Sequence, residues 1–278
     1  MVKVYISVDM EGVAGVSHAK PTNRGDDLYP QSVELMVGEA NAAIEGAFAG
    51  GATDVTVNDS HGQMFNLTPE KLDPRARLVQ GKKPYSMVEA ARDGEFDVAL
   101  FVGYHARAGH PRGTIAHTYT GRITLALVND RPITEAGMNA LYLGALGVPV
   151  AMVSGDDALA EELADWFPWA ELVVVKRGIS WQAADAVHPS VARKLIREGA
   201  RRAVERSAPR DQAMVPLLMP TPLRLQVDFA HPGQADIAAT IPGFERVGDR
   251  GIAYESDDAI TIYRAFLSAA RLASTADD

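Results

Sequence analysis

Apolar and polar positions along this chain switch between the two-residue period of strands and the longer period of helices. Val2-Lys3-Val4-Tyr5-Ile6-Ser7-Val8 is rich in β-branched residues and ends in Asp9, Glu11 and Gly12, which predicts a first strand and its carboxyl-terminal loop. From Gln31 to Ala49, the residues Leu35, Met36, Ala40, Ala43, Ile44, Ala47 and Phe48 recur near the helical spacing, and Gly50-Gly51 supply a stop. Asp54-Val55-Thr56-Val57-Asn58 follows as a second strand and closes in the polar cluster Asp59-Ser60-His61-Gly62. Strand, helix and strand in this order make a βαβ unit, so the sheet here is expected to be parallel.

Phe96-Asp97-Val98-Ala99-Leu100-Phe101-Val102 is a nearly continuous apolar run, suited to a strand buried on both faces, and it ends in Gly103-Tyr104-His105. Further strands are predicted at Ile123 to Val128, Val148 to Val153 and Leu172 to Val175, with helices at Glu135 to Leu146, Ala158 to Trp166 and Ser190 to Arg206. The first 175 residues thus read as one α/β domain. The stretch from Pro209 to Pro222, broken by Pro216 and Pro220, reads as a connection. Beyond it, Leu223 to Phe229 and Gly251 to Glu255 read as strands, and Asp258 to Ala273 as a helix with Ser256 or Asp257 as its N-cap. Ser274 to Asp278 is expected to fray. The expected organisation is a mostly parallel sheet flanked by helices in residues 1–208 and a smaller α+β portion in 209–278, possible as one packed unit.

Composition narrows the chemistry. Of 278 residues, 27 are Lys or Arg and 36 are Asp or Glu, a net charge of −9, which argues against a nucleic-acid backbone as partner. Cysteine is absent, which removes disulfides, thiolate metal sites and cysteine nucleophiles, so any metal must use His, Asp and Glu. No stretch approaches the roughly 18 apolar residues of a membrane span. The opening Met1-Val2-Lys3-Val4-Tyr5-Ile6 has neither the basic segment nor the apolar segment of an export signal, and a cytoplasmic protein is expected.

Three predicted strand ends carry Asp9 with Glu11, Asp59 with His61, and His105, and ligands of open α/β sheets collect outside the carboxyl ends of the strands. Histidine and carboxylate without sulfur are the donors of hydrolytic zinc or manganese sites. Taken singly, these residues read first as solvated loop acids and capping histidines; their placement at three successive strand ends is what favours a shared site. His117, after the loop Gly109 to Gly113, and Glu135, near Asn129-Asp130, either join the same cleft or serve as a loop polar group and a helix-starting acid. His18, His110, His188 and His231 lie in polar or Pro-flanked segments and read as surface residues. No nucleophile elbow, P-loop, H-E-x-x-H or dinucleotide fingerprint is present. One competing pattern remains: Asp9-Met10-Glu11 at a strand end suits a magnesium-dependent phosphatase with Asp9 as nucleophile, which leaves His61 and His105 idle.

Ser7-Val8-Asp9-Met10-Glu11-Gly12, Asn58-Asp59-Ser60-His61, Gly103-Tyr104-His105-Ala106, and Asn129-Asp130 followed by Glu135-Ala136-Gly137-Met138-Asn139 together resemble the D-aminopeptidase family, peptidase family M55. Pro84 to Glu89, Val153 to Asp157 and Gly233-Gln234-Ala235 extend the resemblance over most of the chain. It implies a metallo-aminopeptidase with two zinc ions per subunit, other divalent transition metals being possible, that releases N-terminal D-residues from short peptides of the D-Ala-D-Ala type. It also implies a decamer enclosing the active sites. By the same resemblance, Asp9 is the bridging carboxylate and Glu11, His61, His105 and Glu135 complete the two metal shells. His117 matches the family's catalytic histidine, as nucleophile or as general acid and base beside a dizinc-activated hydroxide. The loop Gly109-His110-Pro111-Arg112-Gly113 and the segment Ile179-Ser180-Trp181-Gln182 depart from the family pattern and bear on substrate preference. The same site on the same fold also suits L-peptide or other amide hydrolysis. A non-catalytic peptide-binding or assembly protein is the remaining class, and the complete ligand set speaks against it.

Overall fold

The computed structural model describes residues 1–207 and 213–277. In chain order it contains β1 (Val2–Val8), α1 (Tyr29–Ala49), β2 (Ala52–Asp59), β3 (Arg77–Val79), β4 (Val98–Tyr104), β5 (Ile123–Val128), β6 (Arg131–Pro132), α2 (Glu135–Ala145), β7 (Val150–Asp156), α3 (Asp157–Leu163) and β8 (Glu171–Ser180). It continues with β9 (Ala183–Ala186), α4 (Pro189–Ser207), β10 (Leu223–Phe229), α5 (Pro232–Ala238), β11 (Glu245–Val247), β12 (Gly251–Ser256) and α6 (Ala259–Ala273).

Seven strands form one sheet in the order β3-β2-β1-β4-β7-β8-β9, parallel except for the edge pair of β8 and β9. The apolar runs that predicted buried strands occupy its centre: every residue of β4 and β7 is buried. Helices α1 and α4 cover one face over Val4, Ile6, Leu100 and Met152. Tyr5, Phe101 and Tyr104 on the other face join the core formed with α2, α6 and the second sheet. Such two-sided coverage is what an all-apolar parallel strand requires.

The second sheet, β11-β12-β10-β5-β6, is antiparallel. Here the structure departs from expectation. Ile123–Val128 has the predicted bounds, but it pairs with Leu223–Phe229 instead of continuing the first sheet. The second sheet therefore draws strands from both sides of the expected boundary at 208/209, and that boundary separates chain segments rather than sheets. Part of the predicted Pro209 to Pro222 connection lies outside the described residues; from Met214 onward it has no regular structure up to β10. Helix α6 is capped by Asp258, not Ser256 or Asp257, because its carboxylate reaches the Ile260 and Thr261 N–H groups. Ser274–Asp277 forms a further 3₁₀ turn where fraying was expected, with the Ser274 and Thr275 hydroxyls donating to the Arg271 and Leu272 carbonyls.

Candidate metal centre and its cleft

Strands β2, β1 and β4 are adjacent and nearly in step, with Val8 opposite both Asp59 and Val102. Asp9, His61 and His105 each leave the sheet within three residues of that line. The floor of a cleft follows from register alone. Close packing of two glycines keeps it compact: Gly12 N–H donates to the Gly103 carbonyl at 2.7 Å, and a Cβ on Gly12 would lie 1.8 Å from the Tyr104 carbonyl. Gly103 itself has φ +71°, a conformation open to glycine without strain.

The acids and imidazoles interleave. His61 Nδ1 lies 2.9 Å from Glu11 Oε2 and 3.3 Å from Asp9 Oδ1, while His105 Nε2 lies 3.4 Å from both Asp9 Oδ2 and Glu135 Oε1. The two oxygens of Asp9 thus face different histidines. Glu135 arrives as the first residue of α2, whose N-cap Thr134 accepts the Gly137 N–H, and it takes the Tyr119 N–H at 2.6 Å. His117 stacks on His105 with ring centroids 4.2 Å apart, and its Nε2 lies 3.7 Å from Glu135 Oε1. The loop that brings it there is strained: Ile115 and Tyr119 sit at φ +53° and +60°, a region that β-branched and bulky residues avoid. It is held by the Thr114 N–H to Asp156, the Ile115 N–H to the Trp181 carbonyl, and the Trp181 indole N–H to the Ala116 carbonyl.

All three imidazoles share one arrangement. A carbonyl only accepts, so His61 Nε2–H donates to Thr22, His105 Nδ1–H to Ala106 and His117 Nδ1–H to Ile115. The opposite nitrogen of each ring is turned to the carboxylates, and that of His105 is buried without a hydrogen-bond partner. Metal-binding histidines use this pattern, in which one N–H fixes the ring and the other nitrogen offers its lone pair. Ligand atoms of Asp9, Glu11 and His105 form one group within 4.8 Å of one another, and those of His105, His117 and Glu135 form a second. The donor set therefore fits a divalent transition metal.

Electrostatics point the same way. Burial would push the His61 imidazole down, but Glu11 and Asp9 hold it well above its ordinary range; His105 is likewise raised by Glu135 and Asp9 against its burial. Burial would raise Glu11 and Glu135, yet His61 and His105 respectively keep them low. Asp9 is raised by burial and by the nearby Glu11. Three buried acids in so small a volume call for positive charge among them.

Every sequence-predicted site residue, Asp9, Glu11, His61, His105, His117 and Glu135, lies in this cluster. Asp59 does not: its carboxylate turns away to the Asn66 and Leu67 N–H groups and holds the loop after His61. His18, His188 and His231 are exposed, and His110 caps its own loop through the Arg112 and Gly113 N–H groups. The cluster forms the floor of a cleft of about 990 Å³ whose lining carries Arg24, Lys82, Lys83 and Arg271, with Asp9, Glu11 and Glu135 as its only acids among the described residues. These cations were missed by sequence reasoning, since they sit in loops and on α6 with no pattern that links them.

Comparison with known proteins gives the family. Residues 2–268 match the profile of peptidase M55, D-aminopeptidase. A D-aminopeptidase of Bacillus subtilis (strain 168) is 39% identical over 273 residues, covering 98% of this chain and 97% of the relative. Among solved structures, the Zn-dependent D-aminopeptidase DppA from Bacillus subtilis, described as a self-compartmentalizing protease, matches with a TM-score of 0.91 at 37% identity over 98% of each chain.

Proposed function

The chain belongs to the D-aminopeptidase family, peptidase M55, and we propose that it is a cytoplasmic zinc-dependent aminopeptidase that releases N-terminal D-residues from short peptides of the D-Ala-D-Ala type. The observation that carries this reading is the common arrangement of the three imidazoles, each tied to a backbone carbonyl on one side and turned to buried carboxylates on the other. Asp9, whose two oxygens face His61 and His105, is the proposed bridging ligand, with Glu11, His61, His105 and Glu135 completing the positions of two zinc ions. Zinc held there supplies Lewis-acid polarisation of the scissile carbonyl and a water acidified to near-neutral pKa.

The chain's own residues do the rest. His117 is proposed as general acid and base: its Nδ1–H is committed to Ile115, so Nε2 is the atom that accepts a proton in the cleft and returns it to the leaving amine. The substrate's free amino group needs an anionic or metal partner, and the floor is the part of the cleft that would offer one. Lys82 and Arg271 on the wall suit the carboxylate at the other end of a short peptide, and through Arg271 the 209–278 portion joins the 1–208 portion in one cleft. The phosphatase alternative leaves three oriented histidines without work. Among the described residues no helix is long and apolar enough to cross a membrane.

We further propose a homo-oligomer, a decamer, that encloses the cleft and admits only short peptides, a reading supported by the self-compartmentalizing relative. Light scattering at ten times the subunit mass is the expected result.

The deciding experiment is elemental analysis of the purified protein beside turnover of D-Ala-D-Ala, L-Ala-L-Ala and a generic phosphate ester. About two zinc ions per chain with cleavage confined to the D-dipeptide is expected. Cleavage of the L-dipeptide at an equal rate would leave the metal site and overturn the stereospecificity; ester turnover without peptide turnover would overturn the aminopeptidase reading.

A further inference from the structure

Behind the site lies a buried cation that the proposed chemistry does not use. β8 runs Leu172-Val173-Val174-Val175 and then places Lys176 at 2% exposure. Its ammonium donates to the carbonyls of Glu11, Val13 (3.3 Å) and Val16 (2.5 Å). All three acceptors belong to the loop that carries Glu11. Burying an ammonium on neutral carbonyls costs more than burying an apolar side chain of the same volume, so the core alone gives no reason for lysine here.

The loop has its own reason. Between Glu11 and Val16 the chain is buried apart from Gly15 and belongs to no strand, the Val13 carbonyl also accepting the Val16 N–H at 3.1 Å. Lys176 gathers them from one side; from the other, Glu39 of α1 accepts the Ala14 N–H at 2.9 Å, and Gly12 N–H is bound by Gly103. Glu11 spans the two environments, its carbonyl on Lys176 and its carboxylate on His61.

We infer that Lys176 is a positioning residue for the metal centre: by gathering the Glu11, Val13 and Val16 carbonyls it sets the Glu11 carboxylate against His61. This rests on Glu11 being a ligand, so the test includes Glu11 itself. Full-length protein carrying Lys176→Met, Lys176→Gln, Glu11→Ala or Lys176→Met with Glu11→Ala is titrated with zinc against a chromophoric chelator, and the thermal midpoint of each metal-free variant is recorded. Removing a group that orients a ligand weakens metal binding roughly 10 to 100-fold. Lys176→Met is expected to show a loss of that size, Lys176→Gln, which keeps two N–H donors, a smaller one, and the double variant no further loss beyond Glu11→Ala.

Wild-type zinc affinity in Lys176→Met, or losses that multiply in the double variant, would overturn the inference while leaving Glu11 a ligand. Failure of both Lys176 variants to fold would assign the residue to the fold alone and overturn it equally. Unchanged affinity in Glu11→Ala would instead remove Glu11 from the ligand set, and the inference would fall with that reading.

Discussion

The two halves of the site are built differently. Asp9, Glu11, His61 and His105 leave the ends of three neighbouring parallel strands, where register sets their spacing to within a residue or two. His117 and Glu135 come from a long excursion between β4 and α2, with left-handed residues at Ile115 and Tyr119 on either side of His117, a helix cap and cross-contacts from β7 and the β8–β9 turn. A hydrogen-bonded chain joins the halves: Ser7 to the Tyr104 hydroxyl, Tyr104 to Asn139 of α2, Asn139 to Tyr119, and Tyr119 to Tyr263 of α6. The strand-end half needs the sheet and the loop that follows β1; the loop half needs the second layer to be seated on it. We expect the first to hold its ligands when the second is disturbed, and not the reverse.

The largest effect should come from the floor. Asp9→Ala, which deletes the carboxylate facing both His61 and His105, is expected to strip the metal and lower turnover by about 10³-fold or more; a variant that retains wild-type zinc in elemental analysis would break the proposed division of labour. His117→Ala should separate the halves most clearly, with kcat lowered by roughly 10² to 10⁴-fold while zinc content stays unchanged. Zinc loss in that variant would make His117 a ligand instead, in keeping with its place beside His105 and Glu135.

Trp181→Phe removes the indole N–H bond to the Ala116 carbonyl at 3.1 Å. A hydrogen bond of this kind contributes about 1 kcal/mol, so steady-state kinetics should show kcat reduced by several-fold with zinc retained; equal kinetics would mean that the left-handed loop holds itself. The last effect concerns stability rather than turnover. Burial pushes Glu39 up to about 7 from its ordinary 4.5. Between those values the folded protein keeps a proton that the unfolded chain has released, so stability falls as pH rises through that window and levels off above it, by an amount on the order of 3 kcal/mol at most. Glu39→Gln keeps an acceptor for Ala14 and removes the charge. Its thermal midpoint should fall less than that of the wild type between pH 5 and pH 7.5, and parallel curves would refute the assignment.

What could be read from the sequence follows the same division. Strand ends announce themselves, because a β-branched run followed by Asp or His is a local signal, and the boundaries of β5 and β10 were legible to the residue. Their pairing with each other was not, since antiparallel contact between residues about a hundred positions apart leaves no mark on local periodicity. Asp59 was placed with His61 by adjacency, yet β2 ends at Asp59 and the bend that follows sends their side chains to different partners. His117 and Glu135 could be joined to the cluster only through the family resemblance, because nothing in their spacing encodes a left-handed turn at Ile115. Lys176 had a visible signal, a lysine directly after four apolar residues, but its partners are backbone atoms and carry no residue identity. β9 and α5 were missed for want of pattern: Ala183–Ala186 has no β-branched residue, and Pro232–Ala238 is two turns long.

The three carbonyls that orient the histidine rings belong to Thr22, Ala106 and Ile115. On the acceptor side none of these bonds uses a side chain, so a substitution at Thr22, Ala106 or Ile115 leaves the acceptor in place. Ring orientation at this centre is thereby insulated from point mutation: side chains at those positions are free to drift as long as the backbone path is kept. The tolerance is uneven, because the path at Ile115 is a left-handed one that glycine or asparagine would follow with less strain. Relatives that adapt to new peptides are therefore expected to vary first around these positions and last at the acids and imidazoles they serve.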